Sequence, residues 1–160
     1  MKKEILTAEF LRYENLSELS ADDKALILLA KKQLDIAYAP YSNFHVGAAL
    51  ILKNGETVTG CNQENASYPL CTCGEHNALV TAGNNYPGVD ILTAAIVARN
   101  PTQPVTQPVT PCGACRQIIA EFEVRQNAPI RLLLHGESGE IYEFASVKAL
   151  LPLSFDRSFL

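Results

Sequence analysis

At 160 residues, with 48% hydrophobic and 19% charged side chains, the chain is sized for one domain with a substantial core. Its formal charge of −4 gives no footprint for a nucleic-acid backbone or an anionic membrane surface, so a small-molecule partner is expected.

The opening stretch MKKEILTAEFLRYENL alternates apolar with charged residues and lacks the unbroken apolar run of a signal peptide. No stretch reaches the length of a membrane span. A cytoplasmic, reducing location is expected, where five cysteines suggest metal or catalysis over a disulfide framework. Residues 1–15 read as an N-terminal extension of a single domain covering 1–160. Ser20 followed by Asp23 has the form of a capping box, and Leu26, Ala30, Leu34 and Ala37 recur on one helical face, predicting a helix that runs until Pro40.

HVGAALIL (45–52), the Asn-Gly turn of KNGE and TVTGC predict a hairpin. Residues 74–83 read as helix. DILTAAIVA (90–98) is apolar enough for a strand covered on both faces. TQPVTQPVTP (102–111) contains TQPV twice, and its prolines forbid a helix or a central strand. It reads as a loop that delivers the chain to Pro111-Cys112 and so lies beside whatever the cysteines build. A helix over 113–124, strands in IRLLLHG and EIYEFA, and a short helix near Ser146 to Leu150 complete an α/β pattern of helices on a mixed sheet.

Four of the five cysteines fall in SYPLCTCGEHNAL and TPCGACRQI. A C-x-x-C pair such as Cys112 and Cys115 is the common local half of a zinc site. The same spacing serves redox pairs, but those need a thioredoxin-like context. Cys73 and Cys112 each precede a predicted helix, whose N-terminal N–H groups and dipole favour the thiolate. Cys71 competes with Cys73 as a ligand, though only Cys73 stands two residues before Glu75. Three protein ligands leave a position open for water, and a carboxylate beside that water can move its protons. Cys61 and Cys71 are expected to be inert buried thiols, and His45 and His135 ordinary structural histidines.

The pattern C-x-E followed by P-C-x-x-C is the signature of zinc-dependent nucleoside and nucleobase deaminases. YAPYSNFHVGAAL, GCNQENASYPL, CGE, PCGACRQ and LLPLSF, in this order from about Leu16 to Phe155, resemble the small homotetrameric cytidine deaminases. The resemblance implies a three-layer αβα fold on a mixed five-stranded sheet and one Zn²⁺ per chain held by Cys73, Cys112 and Cys115. It implies that Glu75 carries protons from water to the pyrimidine N3 and on to the departing amine. Asn62 and Glu64 would face the sugar, the backbone near Ala66 the base edge, and Phe44 would pack beside the nucleoside. Phe155 would enter the pocket of a neighbouring subunit.

The implied activity is hydrolysis of cytidine or deoxycytidine in pyrimidine salvage, by a homotetramer with no nucleic-acid or membrane partner. His76 stands where the family usually has an arginine that offsets charge on the thiolates. Its compensation is weaker because histidine loses its charge near neutrality, and Arg116 is the nearest permanent cation in sequence. Two alternatives stay open here. One is a deaminase for an aminonucleoside of the blasticidin S type or a modified cytidine. The other is a non-catalytic protein whose zinc is closed by His76 as a fourth ligand.

Overall fold

The computed structural model describes all 160 residues. Six strands form one mixed sheet: β1 (Leu11–Tyr13), β2 (His45–Leu52), β3 (Thr57–Cys61), β4 (Ile91–Arg99), β5 (Arg131–His135) and β6 (Ile141–Phe144), in the order β1-β6-β5-β4-β2-β3. Only β4 and β5 run parallel, and the other neighbours are antiparallel. Helix α1 (Ala21–Gln33) covers one face, while α2 (Gly74–Asn85) and α3 (Gly113–Gln126) cover the other.

The long apolar strands follow from this sandwich. In β4, Ala94 and Ile96 join the core under α2 and α3, while Ala95 and Val97 join the core under α1. Both faces being covered, the strand reads as a continuous apolar run and not an alternating one. Helix α1 presents Leu26, Ile27 and Ala30 to its face, all buried. Its N-cap is formed, though not the full capping box: Ser20 Oγ accepts from Asp23 N at 3.1 Å, and Asp23 Oδ2 accepts from the Ser20 hydroxyl at 2.8 Å and not from the Ser20 backbone N–H.

Two expectations need correction. The sheet has six strands, not five, because residues 11–13 of the N-terminal extension pair with β6 and Phe10 packs on Tyr142 and Phe144, ring centroids 4.8 and 5.2 Å away. Three residues at an edge give no periodic signal. Helix α1 ends at Gln33, with Leu34 as its C-cap. Ala37 therefore lies outside the helix that was expected to reach Pro40, and Tyr38 instead bridges to Gln63 in the site loop.

The layers meet closely where the site is built. A methyl group at Gly60 would stand 2.5 Å from Ala78 N, and one at Gly74 would stand 2.7 Å from Val46 O. Real Cβ atoms do not approach so near, so both glycines let the first turn of α2 sit against β2 and β3. An alanine in place of Gly74 would force that turn away from the sheet.

Candidate active site

Cys73 is the N-cap of α2 and Cys112 the N-cap of α3. Cys115 lies in the first turn of α3, 1% exposed. The parallel neighbours β4 and β5 set the sheet against which α3 packs, and the loop after β4 brings Cys112 to the N-terminus of α2. The three sulfur atoms lie within 4.8 Å of one another, with Cys73 Sγ 3.9 Å from Cys112 Sγ. Thiolates bonded at about 2.3 Å to a tetrahedral zinc stand roughly 3.8 Å apart, so the donor set fits that ion. A hydrogen bond from Cys115 draws the Cys73 thiol down to about 7, and the same hydrogen bond, with burial, pushes Cys115 up. His76 is half-buried but is not part of the cluster. A zinc closed by His76 is therefore not what the fold builds.

Glu75 lies beside Cys115, 3% exposed, and its Oε2 has no hydrogen-bond partner. Burial raises its pKa above the ordinary carboxylate range, against smaller opposing effects from its own backbone N–H, Cys115 and His76. A buried carboxyl with an unused oxygen is costly unless a ligand or metal meets it.

A cavity of about 310 Å³ opens above this floor, lined among others by Phe44, Asn62, Glu64, Glu75, Thr110 and Cys112. Val109, Thr110 and Pro111 bring the end of the proline-rich loop to its wall. Asn62 is buried, and its side chain bonds backbone: Oδ1 accepts from Val46 N at 2.8 Å and Nδ2 donates to Phe44 O at 2.8 Å. These contacts fix Phe44 and leave the amide one donor hydrogen and one lone pair. Glu64 accepts from Tyr41 N at 2.8 Å, Ser42 N at 3.3 Å and Ser42 Oγ. Burial alone would raise its pKa, but the hydrogen bonds from Ser42 and Tyr41 outweigh that and hold it below the usual carboxylate range.

Other residues stand apart from the cluster. Ala66 is exposed on the loop after Glu64. Phe155 is 59% exposed, does not line this cavity, and stacks on Phe159 at 5.6 Å. His76 makes no hydrogen bond to a thiol. Arg116 spends its guanidinium on Pro111 O at 2.8 Å, Leu150 O at 2.9 Å and Thr110 Oγ1 at 3.1 Å. Cys61 is buried as expected, but Cys71 is exposed, outside the trio, with its sulfur 3.2 Å from Asn65 N. Ser42 was legible only as part of the YAPYSNF motif. Tyr41 and Tyr68, which line an adjoining pocket with Ser42, Glu64 and Cys71, carried no signal as single residues.

A three-layer sandwich that places three thiols and a buried carboxyl at two helix N-termini, under a cavity of nucleoside size, defines a zinc-dependent hydrolase. The family described as "cytidine and deoxycytidylate deaminase zinc-binding region" matches residues 20–128. The chain is 41% identical over 134 residues to the cytidine deaminase of Halalkalibacterium halodurans, covering 84% of this chain and 94% of that one. It is 40% identical to that of Sporosarcina psychrophila, covering 85% and 93%. Its fold is similar to the crystal structure of cytidine deaminase from Burkholderia pseudomallei, with a TM-score of 0.72 at 40% identity over 86% of this chain and all of that one. The chain belongs to the cytidine and deoxycytidylate deaminase family, and its thiol trio is the site for one zinc ion.

Proposed function

We propose that this protein is a cytoplasmic, homotetrameric cytidine deaminase of pyrimidine salvage, hydrolysing free cytidine or deoxycytidine to uridine or deoxyuridine with release of ammonia. The observation that carries the reading is Glu75: a buried carboxyl with one unpartnered oxygen, beside three clustered thiols, at the floor of a cavity. When bound, zinc supplies the Lewis acidity that makes water nucleophilic near neutral pH. Glu75 takes the proton of the attacking water, delivers it to N3 as C4 is attacked, and carries the second proton to the departing amine. Its raised pKa suits a group that must both accept and donate.

The remaining residues orient the substrate. Glu64, held ionised by Tyr41 and Ser42, accepts a sugar hydroxyl, and Asn62 uses its remaining amide capacity there. Phe44, fixed by Asn62, lies along the nucleoside, and the backbone at Ala66 meets the base edge. Phe155 arrives from a neighbouring copy. His76 and Arg116 temper the negative charge of three thiolates, Arg116 through the field of its charge, with three of its five N–H groups held by oxygen acceptors.

A free nucleoside is favoured over a nucleotide on electrostatic grounds. No Lys, Arg or His lines the cavity, and the Glu64 carboxylate does, so a phosphate would enter without a partner and against a like charge. Ammonia release from cytidine, deoxycytidine and their 5′-monophosphates tests this. Turnover of the nucleosides with little of the monophosphates is expected, and preferred turnover of a monophosphate would overturn the substrate assignment.

A further inference from the structure

Two consecutive side chains, directly after the third cysteine of the cluster, grip the same C-terminal segment. Arg116 Nη1 donates to Leu150 O at 2.9 Å, and Gln117 Nε2 donates to Phe155 O at 2.8 Å. Between the grips the chain turns through Pro152, Leu153 and Ser154, with Leu153 at φ 58°. A branched side chain rarely adopts that left-handed conformation, and where it does the surroundings must impose it. Burial does not impose it here. Leu153 is 90% exposed, and Phe155 is 59% exposed with its ring stacked on Phe159. The shape of the segment is therefore held from its ends, by the first turn of α3.

We propose that Gln117 is a positioning residue for the reaction, fixing the backbone of Phe155 so that the ring is presented, already ordered, to the nucleoside pocket of a neighbouring copy. The inference rests on the reading that Phe155 completes that pocket. Ordering the segment in the free chain removes a cost that would otherwise fall on substrate binding. Gln117 is two residues from Cys115, so one short helical turn sets both the metal cluster of its own copy and the aromatic wall offered to the next.

The test is steady-state kinetics on the full-length, zinc-loaded oligomer with cytidine. Gln117→Met keeps the side-chain length and removes the donor. It should raise KM about three- to tenfold, the worth of one hydrogen bond, with kcat, zinc content and sedimentation unchanged. Gln117→Glu, which keeps the shape but cannot donate, should repeat the effect and guards against a packing fault of methionine. In a Phe155→Ala background, Gln117→Met should add nothing further to KM.

An unchanged KM in both Gln117 variants, while Phe155→Ala raises it, overturns the proposal and leaves the reading of Phe155 standing. Full additivity of Gln117→Met and Phe155→Ala also overturns it, because the amide would then act elsewhere. Loss of zinc or assembly in both Gln117 variants makes the residue merely structural. If Phe155→Ala itself leaves KM unchanged, the reading of Phe155 falls and the proposal with it.

Discussion

A carboxyl buried without a partner is unfavourable by several kcal/mol in an apolar setting, and Glu75 keeps one oxygen in that state. Proteins retain such groups where a ligand meets them. The cysteine trio was legible because C-x-E and P-C-x-x-C are local patterns whose spacing survives folding. Gln117 was not, since its partner Phe155 is 38 residues away and nothing in a linear pattern marks such a bond. Asn62 was read toward the sugar, while its amide bonds the backbone of residues 44 and 46. Cys112→Ala should leave substoichiometric zinc by metal analysis and lower turnover by more than the roughly 10- to 100-fold expected from losing an outer partner. His76 gives a subtler test. His76→Ala should keep zinc and slow turnover by about tenfold, while His76→Arg, which keeps its charge at every working pH, should hold or raise activity on the alkaline side. A pH–rate profile untouched by either substitution removes His76 from the chemistry.

Element by element, helices and long strands follow the hydrophobic pattern, because each buries a face whose period is written in the chain. The exceptions are instructive. β1 is an edge strand of three residues, too short to show a period, and it is secured by Phe10 on β6. The N-terminus of α1 shows local and distant signals meeting. Ser20 caps the helix by accepting from Asp23 N, and the Asp23 carboxylate, which accepts from the Ser20 hydroxyl, also pairs with Arg131 on β5, which reaches Glu143 on β6 at 3.4 Å. Burial alone would raise the Asp23 pKa, yet hydrogen bonds from Arg131 and Ser20 outweigh it and the value falls. The folded pKa being below the unfolded value of about 3.9, the stabilisation is present above that pH and is lost as pH falls through the folded value. Asp23→Asn should cost about 1–2 kcal/mol at neutral pH, or roughly 3 °C in Tm per kcal/mol for a chain of this size. The gap from wild type should close as the pH falls below about 4. A gap independent of pH contradicts the ion-pair assignment.

At the scale of the whole molecule, the chain leaves Leu153, Phe155, Phe159 and Leu160 exposed at one terminus, and Tyr41 and Tyr68 exposed on a pocket that shares Ser42, Glu64 and Cys71 with the cavity. Surfaces of this kind mark association, and their assignment to copies of the same chain is part of the proposed homotetramer. Phe155→Ala should therefore raise KM for cytidine while zinc content stays at one per chain, and a fully active sedimenting monomer contradicts the assembly. Fold class was legible at this scale because the order of elements is written in sequence. The completion of a pocket by another copy was legible only through resemblance, since no local property of LLPLSF names its partner. The most direct test of the chemistry is ammonia release from cytidine by wild type and Glu75→Gln at equal zinc content. The wild type should form one ammonia per uridine, and the variant should be slower by about 10²- to 10⁴-fold with its metal retained. Equal rates in the two proteins, or a zinc-loaded wild type that releases no ammonia from cytidine, would contradict the assignment of Glu75 and of the site built around it.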